Sequence, residues 1–155
     1  MLKHVLVPLD GSQLAEDALE HALNIVDPNG KITLIAAVDI PEIPVYGYFT
    51  TASTADFEAA TRDMLPQART YLESVAKRLA NDHLTIAIDA QLGDAADVIS
   101  ETALKYKVDA IVMSTHGRSG LNRWLFGSVT NKVLSSHPCP VYVIPSKTKQ
   151  DGHAA

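Results

Sequence analysis

Two short stretches of the chain hold the residue types whose spacing can do chemistry. One is Pro8-Leu9-Asp10-Gly11-Ser12, which offers a carboxylate and a hydroxyl around a turn. The other spans residues 114–128, beginning Ser114-Thr115-His116-Gly117-Arg118-Ser119-Gly120 and ending Gly127-Ser128. Its small residues let backbone approach a ligand closely, and a helix start follows. The first N–H groups of a helix lack intrahelical partners and carry the positive end of its dipole, so an anion there gains roughly 0.3 to 1 kcal/mol. Phosphate fits such a site, and Ser128 can add a hydroxyl donor. A micromolar ligand needs about 8 kcal/mol of net binding, so buried apolar area and further backbone contacts must supply most of it.

Each feature also has a plain structural reading. Asp10-Gly11-Ser12 is a common βα turn and helix cap, and Ser119, Gly120 and Gly127 are ordinary turn and helix-entry residues. His116, between two candidate contacts, is assigned a backbone contact rather than acid or base work. Arg118 is included among the candidates because it lies beside the glycines; Arg123 and Lys132 are ambiguous charges. Trp124-Leu125-Phe126 is read as packing that anchors the loop. Other chemistries lack their patterns. There is no G-x-x-x-x-G-K-[ST] and no G-x-G-x-x-G after the first strand. Ser114, His116 and Asp10 supply the residue types of a hydrolase triad, but no G-x-S-x-G elbow is present. The six histidines show no H-E-x-x-H, and one cysteine gives no paired-Cys metal spacing.

The elements that must position these loops are legible from periodicity. The 155 residues suit one average domain, and 46% hydrophobic with 20% charged residues is the balance of a globular protein. A formal charge of -5 leaves no overall basic field for nucleic acid or an anionic membrane. The lone Cys139 makes a reduced, cytoplasmic compartment the expectation. The opening MLKHVLVPLD is too briefly apolar for a secretion signal, and no run approaches the ~20 residues of a membrane helix.

Residues 4–9 read as a buried strand. Ala15, Ala18, Leu19, Ala22, Leu23 and Val26 form a helical stripe with Ser12 as N-cap, stopped by Asp27-Pro28-Asn29-Gly30. A second strand follows over residues 31–38, with the continuous apolar character of a sheet covered on both faces. Residues 39–54 read as a long loop carrying Tyr46, Tyr48 and Phe49, a lid or a partner contact. A long second helix is expected, with Pro66 either in its first turn or kinking a longer helix that starts near Ala55. A strand over 84–92, a helix capped by Asp94, a strand over 109–114, a helix capped by Ser128 through about Ser136 and a strand over 140–144 complete the chain. The tail 147–155 is expected to be disordered. Five alternations of strand and helix predict an α/β fold with an open parallel sheet and right-handed crossovers, whose ligands sit beyond the strands' carboxyl ends.

The chain resembles the universal stress protein family, whose nucleotide-binding members carry G-x2-G-x9-G-[ST] after the fourth strand. Gly117, nine residues, then Gly127-Ser128 match; the first glycine falls at Ser114, where a side chain restricts backbone approach. The likeness runs collinearly from Val5-Leu6-Val7-Pro8 to Pro138-Cys139-Pro140-Val141. It implies one domain over residues 1–146 with a five-stranded Rossmann-like sheet in order 3-2-1-4-5, which places the first and fourth strand ends side by side. It further implies adenine-nucleotide binding (ATP, AMP or ADP, with Mg2+). Asp10 would meet the ribose, or Mg2+ through phosphate, and Val38 would flank adenine. Phosphates would lie along the loop, and Pro8, Leu9, Ser12, Met113, Ser114, Thr115, His116, Gly117, Arg118, Gly120, Gly127, Ser128, Val129 and Thr130 would complete the site. The implied order makes the last strand, with Val141, Tyr142, Val143 and Ile144, an edge that a second copy would cover, giving a homodimer. The expected role is a stress-response sensor or regulatory module, at most a slow ATPase, because no residue is poised to activate water against a γ-phosphate. The alternatives are a nucleotide-free interaction dimer, motivated by Ser114, and, well below it, an esterase.

Overall fold

The computed structural model describes residues 1–40, 58–59, 61–115, 127–136 and 138–145. Its strands are β1 (Leu2–Pro8), β2 (Val26–Val38), β3 (Thr85–Leu92), β4 (Ala110–Ser114) and β5 (Val141–Ile144). Its helices are α1 (Gln13–Ile25), α2 (Met64–Leu79), α3 (Ala95–Tyr106) and α4 (Ser128–Ser136). All strand pairs are parallel, in the order β3-β2-β1-β4-β5. The expected fold class and strand order are therefore found.

Alternation along the central strands sends successive side chains to opposite layers. Val5, Val7, Ile32, Leu34, Ala36 and Val112 pack with Ala18, Leu19 and Ala22 of α1 and Leu72 and Val75 of α2. Leu6, Ile35, Ile111 and Met113 pack with Ala96, Val98, Ile99 and Ala103 of α3 and Val133 of α4. Both faces are thus buried along residues 5–7, residues 32–36 and β4, which explains the apolar runs there.

Two local expectations need correction, and a third, the two-way reading of Pro66, is resolved. β2 begins at Val26, directly after α1, because Val26 pairs with Leu2. Asp27-Pro28-Asn29-Gly30 is an irregularity inside that pairing, which resumes at His4 and Lys31. Glycine is required at its close, since a Cβ on Gly30 would lie 2.9 Å from the carbonyl oxygens of Lys3 and Asp27. The second helix does not run unbroken from upstream: helical residues 58–59 and 61–62 are separated from α2 by a turn at Asp63. Pro66 has no N–H to give the carbonyl of Arg62, so the helix restarts with Pro66 in its first turn, where that donor would be idle. Ser128 is the first residue of α4 rather than its cap; the Gly127 carbonyl accepts from the Asn131 amide at 3.0 Å. The expected loop over 39–54, beyond Asp39 and Ile40, and the tail lie outside the described residues.

The caps read from sequence on α1 and α3 are in place. Ser12 Oγ accepts from the Ala15 amide, and Asp94 accepts from the Ala96 and Asp97 amides. Among the described residues no helix is long and apolar enough to cross a membrane.

Candidate functional site

β1 pairs with β4 only at Val5–Ala110 and Leu6–Ile111. Beyond that point β1 continues beside β2, to Pro8–Ile35, and β4 beside β5, to Ser114–Ile144. The two strand ends therefore part, and a crevice opens between them at the reversal of winding, the place where open α/β sheets bind ligands.

The crevice has two lobes. The first, about 100 Å³, is lined by Pro8, Leu9 and Asp10 after β1, Met113 and Ser114 at the end of β4, and Val129 and Thr130 in the first turn of α4. Leu14 and Ala15 of α1, Ile35 and Ala37 of β2, and Ala95 and Ile99 of α3 close it. The second, about 350 Å³, shares Leu9, Asp10 and Ala37 and is walled by Val38, Asp39 and the α2 residues Met64, Gln67, Ala68 and Tyr71. Its volume falls within the roughly 300–1,000 Å³ of small-molecule sites.

Eight of the predicted site residues thus come together: Pro8, Leu9, Asp10, Val38, Met113, Ser114, Val129 and Thr130. Four others are placed around them without lining a lobe. Ser12 caps α1, Thr115 donates its amide to the Ile144 carbonyl at 3.0 Å, Gly127 precedes α4, and Ser128 opens it exposed. His116, Gly117, Arg118 and Gly120 lie outside the described residues.

The polar groups follow from these positions. Asp10 Oδ1 accepts from the Ser12 amide at 2.9 Å and from the Ser12 hydroxyl at 2.5 Å, while that hydroxyl accepts from the Ala15 amide at 3.1 Å. The turn-and-cap reading of Asp10-Gly11-Ser12 is therefore realised, with Gly11 at φ +83 supplying the left-handed step. Asp10 remains exposed at the mouth of both lobes. Ser114 is only 9% exposed, and its Oγ has no hydrogen-bond partner among the described residues. The first turns of α1, α3 and α4 all face the first lobe through Leu14, Ala95 and Val129, so three positive helix ends converge there.

Surrounding contacts hold these helix ends. Asp94 Oδ2 reaches Lys132 Nζ at 3.3 Å, and Ser100 Oγ lies 2.8 Å from Ser136 Oγ, tying α3 to α4. The Asp97 amide, then Lys132, keeps the Asp94 carboxyl below its ordinary value. Burial, then the hydrogen bond to Glu16, raises the Tyr71 hydroxyl above its own. Sequence reasoning missed the α2 wall and the α3 contribution. Their apolar stripes were visible, but which end of each helix meets the crevice is decided by packing. Among the described residues no group of three or more His, Cys, Asp or Glu is placed to hold a metal ion on protein ligands alone.

Comparison with known proteins agrees with this architecture. The universal stress protein family model matches residues 1–145. Universal stress protein MJ0531 of Methanocaldococcus jannaschii is 31% identical over 151 residues, covering 97% of this chain and 86% of its own length. The solved structure of protein MJ0577 superimposes with a TM-score of 0.79 at 26% identity, covering 95% of this chain and 98% of the other. An Arabidopsis thaliana family protein solved with AMP bound shares the fold at 21% identity and a TM-score of 0.59, covering 98% and 97%. With the strand order, the parting of β1 from β4 and a match spanning nearly its whole length, the chain belongs to the universal stress protein family.

Proposed function

We propose that the crevice binds an adenine nucleotide, ATP or its AMP and ADP relatives, and that occupancy serves regulation rather than turnover. The observation carrying this reading is the convergence, on the lobe beside the Asp10 carboxylate, of three helix N-termini and a Ser114 hydroxyl with no partner among the described residues. In this reading phosphate oxygens meet the first turn of α4 and the loop before it. Asp10 accepts ribose hydroxyls, and apolar surface at Val38, Ala37 and Leu9 covers the base. The AMP-bound relative of the same fold supports the ligand class. Mg2+ usually keeps several waters and binds through substrate phosphates with one or two carboxylates, and Asp10 is the carboxylate at the shared mouth of the lobes.

The same proposal assigns the β5 edge to a second copy. Tyr142 there is 45% exposed at the margin of the sheet, where among the described residues the strand has β4 as its single neighbour. A dimer through this edge is compatible with the ligand site, which opens at the strands' carboxyl ends.

The test is substitution of Gly117 by Asp, which brings bulk and negative charge to the phosphate loop. It is expected to lower ATP and AMP affinity at least a hundredfold while the circular dichroism spectrum and melting temperature stay those of the parent. Unchanged affinity would remove the reading and favour a dimer that works without nucleotide.

A further inference from the structure

The residue that departs from the family pattern also has a buried hydroxyl with no hydrogen-bond partner among the described residues. Ser114 stands at the glycine position that opens G-x2-G-x9-G-[ST], and from the sequence alone its side chain counts as an obstacle to a phosphate. In the structure it is the last residue of β4, 9% exposed, with its Oγ buried and unpartnered among the described residues while it lines the first lobe. Leaving a buried hydroxyl unsatisfied is destabilising, and such groups in native proteins call for a reason. The lobe gives one: it is mostly apolar, and the first turns of α1 and α4 face it through Leu14, Ala15, Val129 and Thr130. A ligand atom arriving beside Ser114 thus sits where positive helix ends favour negative charge. Asp10, the carboxylate of this lobe, accepts from the amide and hydroxyl of Ser12.

We propose that Ser114 is a specificity-determining residue whose hydroxyl donates a hydrogen bond to a phosphate oxygen of the bound nucleotide, so that this side chain contributes affinity where it was expected to obstruct. The proposal rests on the nucleotide reading of the crevice. It makes Ser114 costly in the empty protein and favourable in the occupied one, and that pair of opposite signs is its signature. A hydrogen bond to a charged acceptor contributes about 1.5 to 3 kcal/mol, which corresponds to roughly 10- to 150-fold in affinity.

The experiment compares wild type, Ser114→Ala and Ser114→Gly by calorimetric titration with AMP and with adenosine, alongside thermal unfolding of each empty protein. Ser114→Ala is expected to weaken AMP binding at least tenfold, leave adenosine binding within twofold, and melt at or above the wild-type temperature. Ser114→Gly is expected to weaken AMP binding as well. Tighter AMP binding by Ser114→Gly would show that the side chain is an obstacle and overturn the proposal. Equal losses for AMP and adenosine would move the contact to ribose or base and overturn the phosphate assignment. A lower melting point for empty Ser114→Ala would show that the hydroxyl already has a partner, and would overturn it too. Wild type that binds neither ligand would defeat the nucleotide reading itself, and this inference with it.

Discussion

Tyr71 of α2 donates its hydroxyl to Glu16 Oε1 of α1 at 2.9 Å, while Arg78 reaches the other oxygen of the same carboxylate at 2.7 Å. Glu16 is thereby gripped from two turns of α2, and the helix that walls the second lobe is fastened to the helix capped beside Asp10. This clamp matters because α2 has no side-chain N-cap bond of its own. Removing the hydroxyl by Tyr71→Phe is expected to cost about 1 kcal/mol, a fall of about 2–4 °C in melting temperature for a chain this long. The same contact sets an alkaline dependence. Burial and Glu16 hold the Tyr71 hydroxyl above its ordinary 10.0, so its contribution is complete below that value and fades as the unfolded chain ionises above it. Wild type should therefore lose its advantage over Tyr71→Phe as pH rises past about 10. Thermal melts of the two proteins on either side of that pH check both statements.

An acid dependence is built in at the other end of the sheet. Asp109 Oδ2 accepts the amides of Lys3 and His4 at 2.7 and 2.8 Å, joining the start of β1 to the residue before β4. The His4 amide, then the Lys3 amide, holds the Asp109 carboxyl below its ordinary 3.8. A carboxylate lowered on folding stabilises the protein above its unfolded value, and this is lost as pH falls through the folded one. Asp109→Asn is thus expected to lower the denaturation midpoint at neutral pH, with the gap to wild type shrinking in acid. Urea titrations across that range would contradict the assignment if the gap stayed constant.

The edge strand makes a prediction independent of the ligand. A second copy covering β5 would bury Tyr142, so wild type should scatter light as a dimer at micromolar concentration, and Tyr142→Asp should shift it to monomer with little change in nucleotide affinity. A monomeric wild type would remove this interface from the account.

How far the sequence carried the structure is clearest at particular residues. Ser12 and Asp94 announce their helices because an N-cap needs only a local hydrogen bond, and both caps are present. The alternation of Val5, Leu6 and Val7 between the two layers follows from strand geometry alone. Strand order came from family likeness, since periodicity cannot say which strands are neighbours. Asp27-Pro28-Asn29-Gly30 has the composition of a turn, yet it sits within a pairing that starts at Val26, a tertiary choice invisible to local signals. Ser128 has the chemistry of a cap, but the chain enters α4 one residue earlier, at Gly127. Tyr71 and Met64 reach the crevice only because α2 docks across the sheet, and nothing in their spacing points there. The burial of Ser114 without a partner among the described residues is likewise a property of the assembled fold.

The central claim is tested most directly by calorimetric titration of nucleotide-free protein with ATP, with and without Mg2+, and with AMP and GTP in parallel. Micromolar binding of ATP and AMP is expected, with a response to Mg2+ for ATP only and GTP at least tenfold weaker. No heat and no competition with any adenine nucleotide would contradict it, and would leave the crevice between β1 and β4 without the ligand proposed for it.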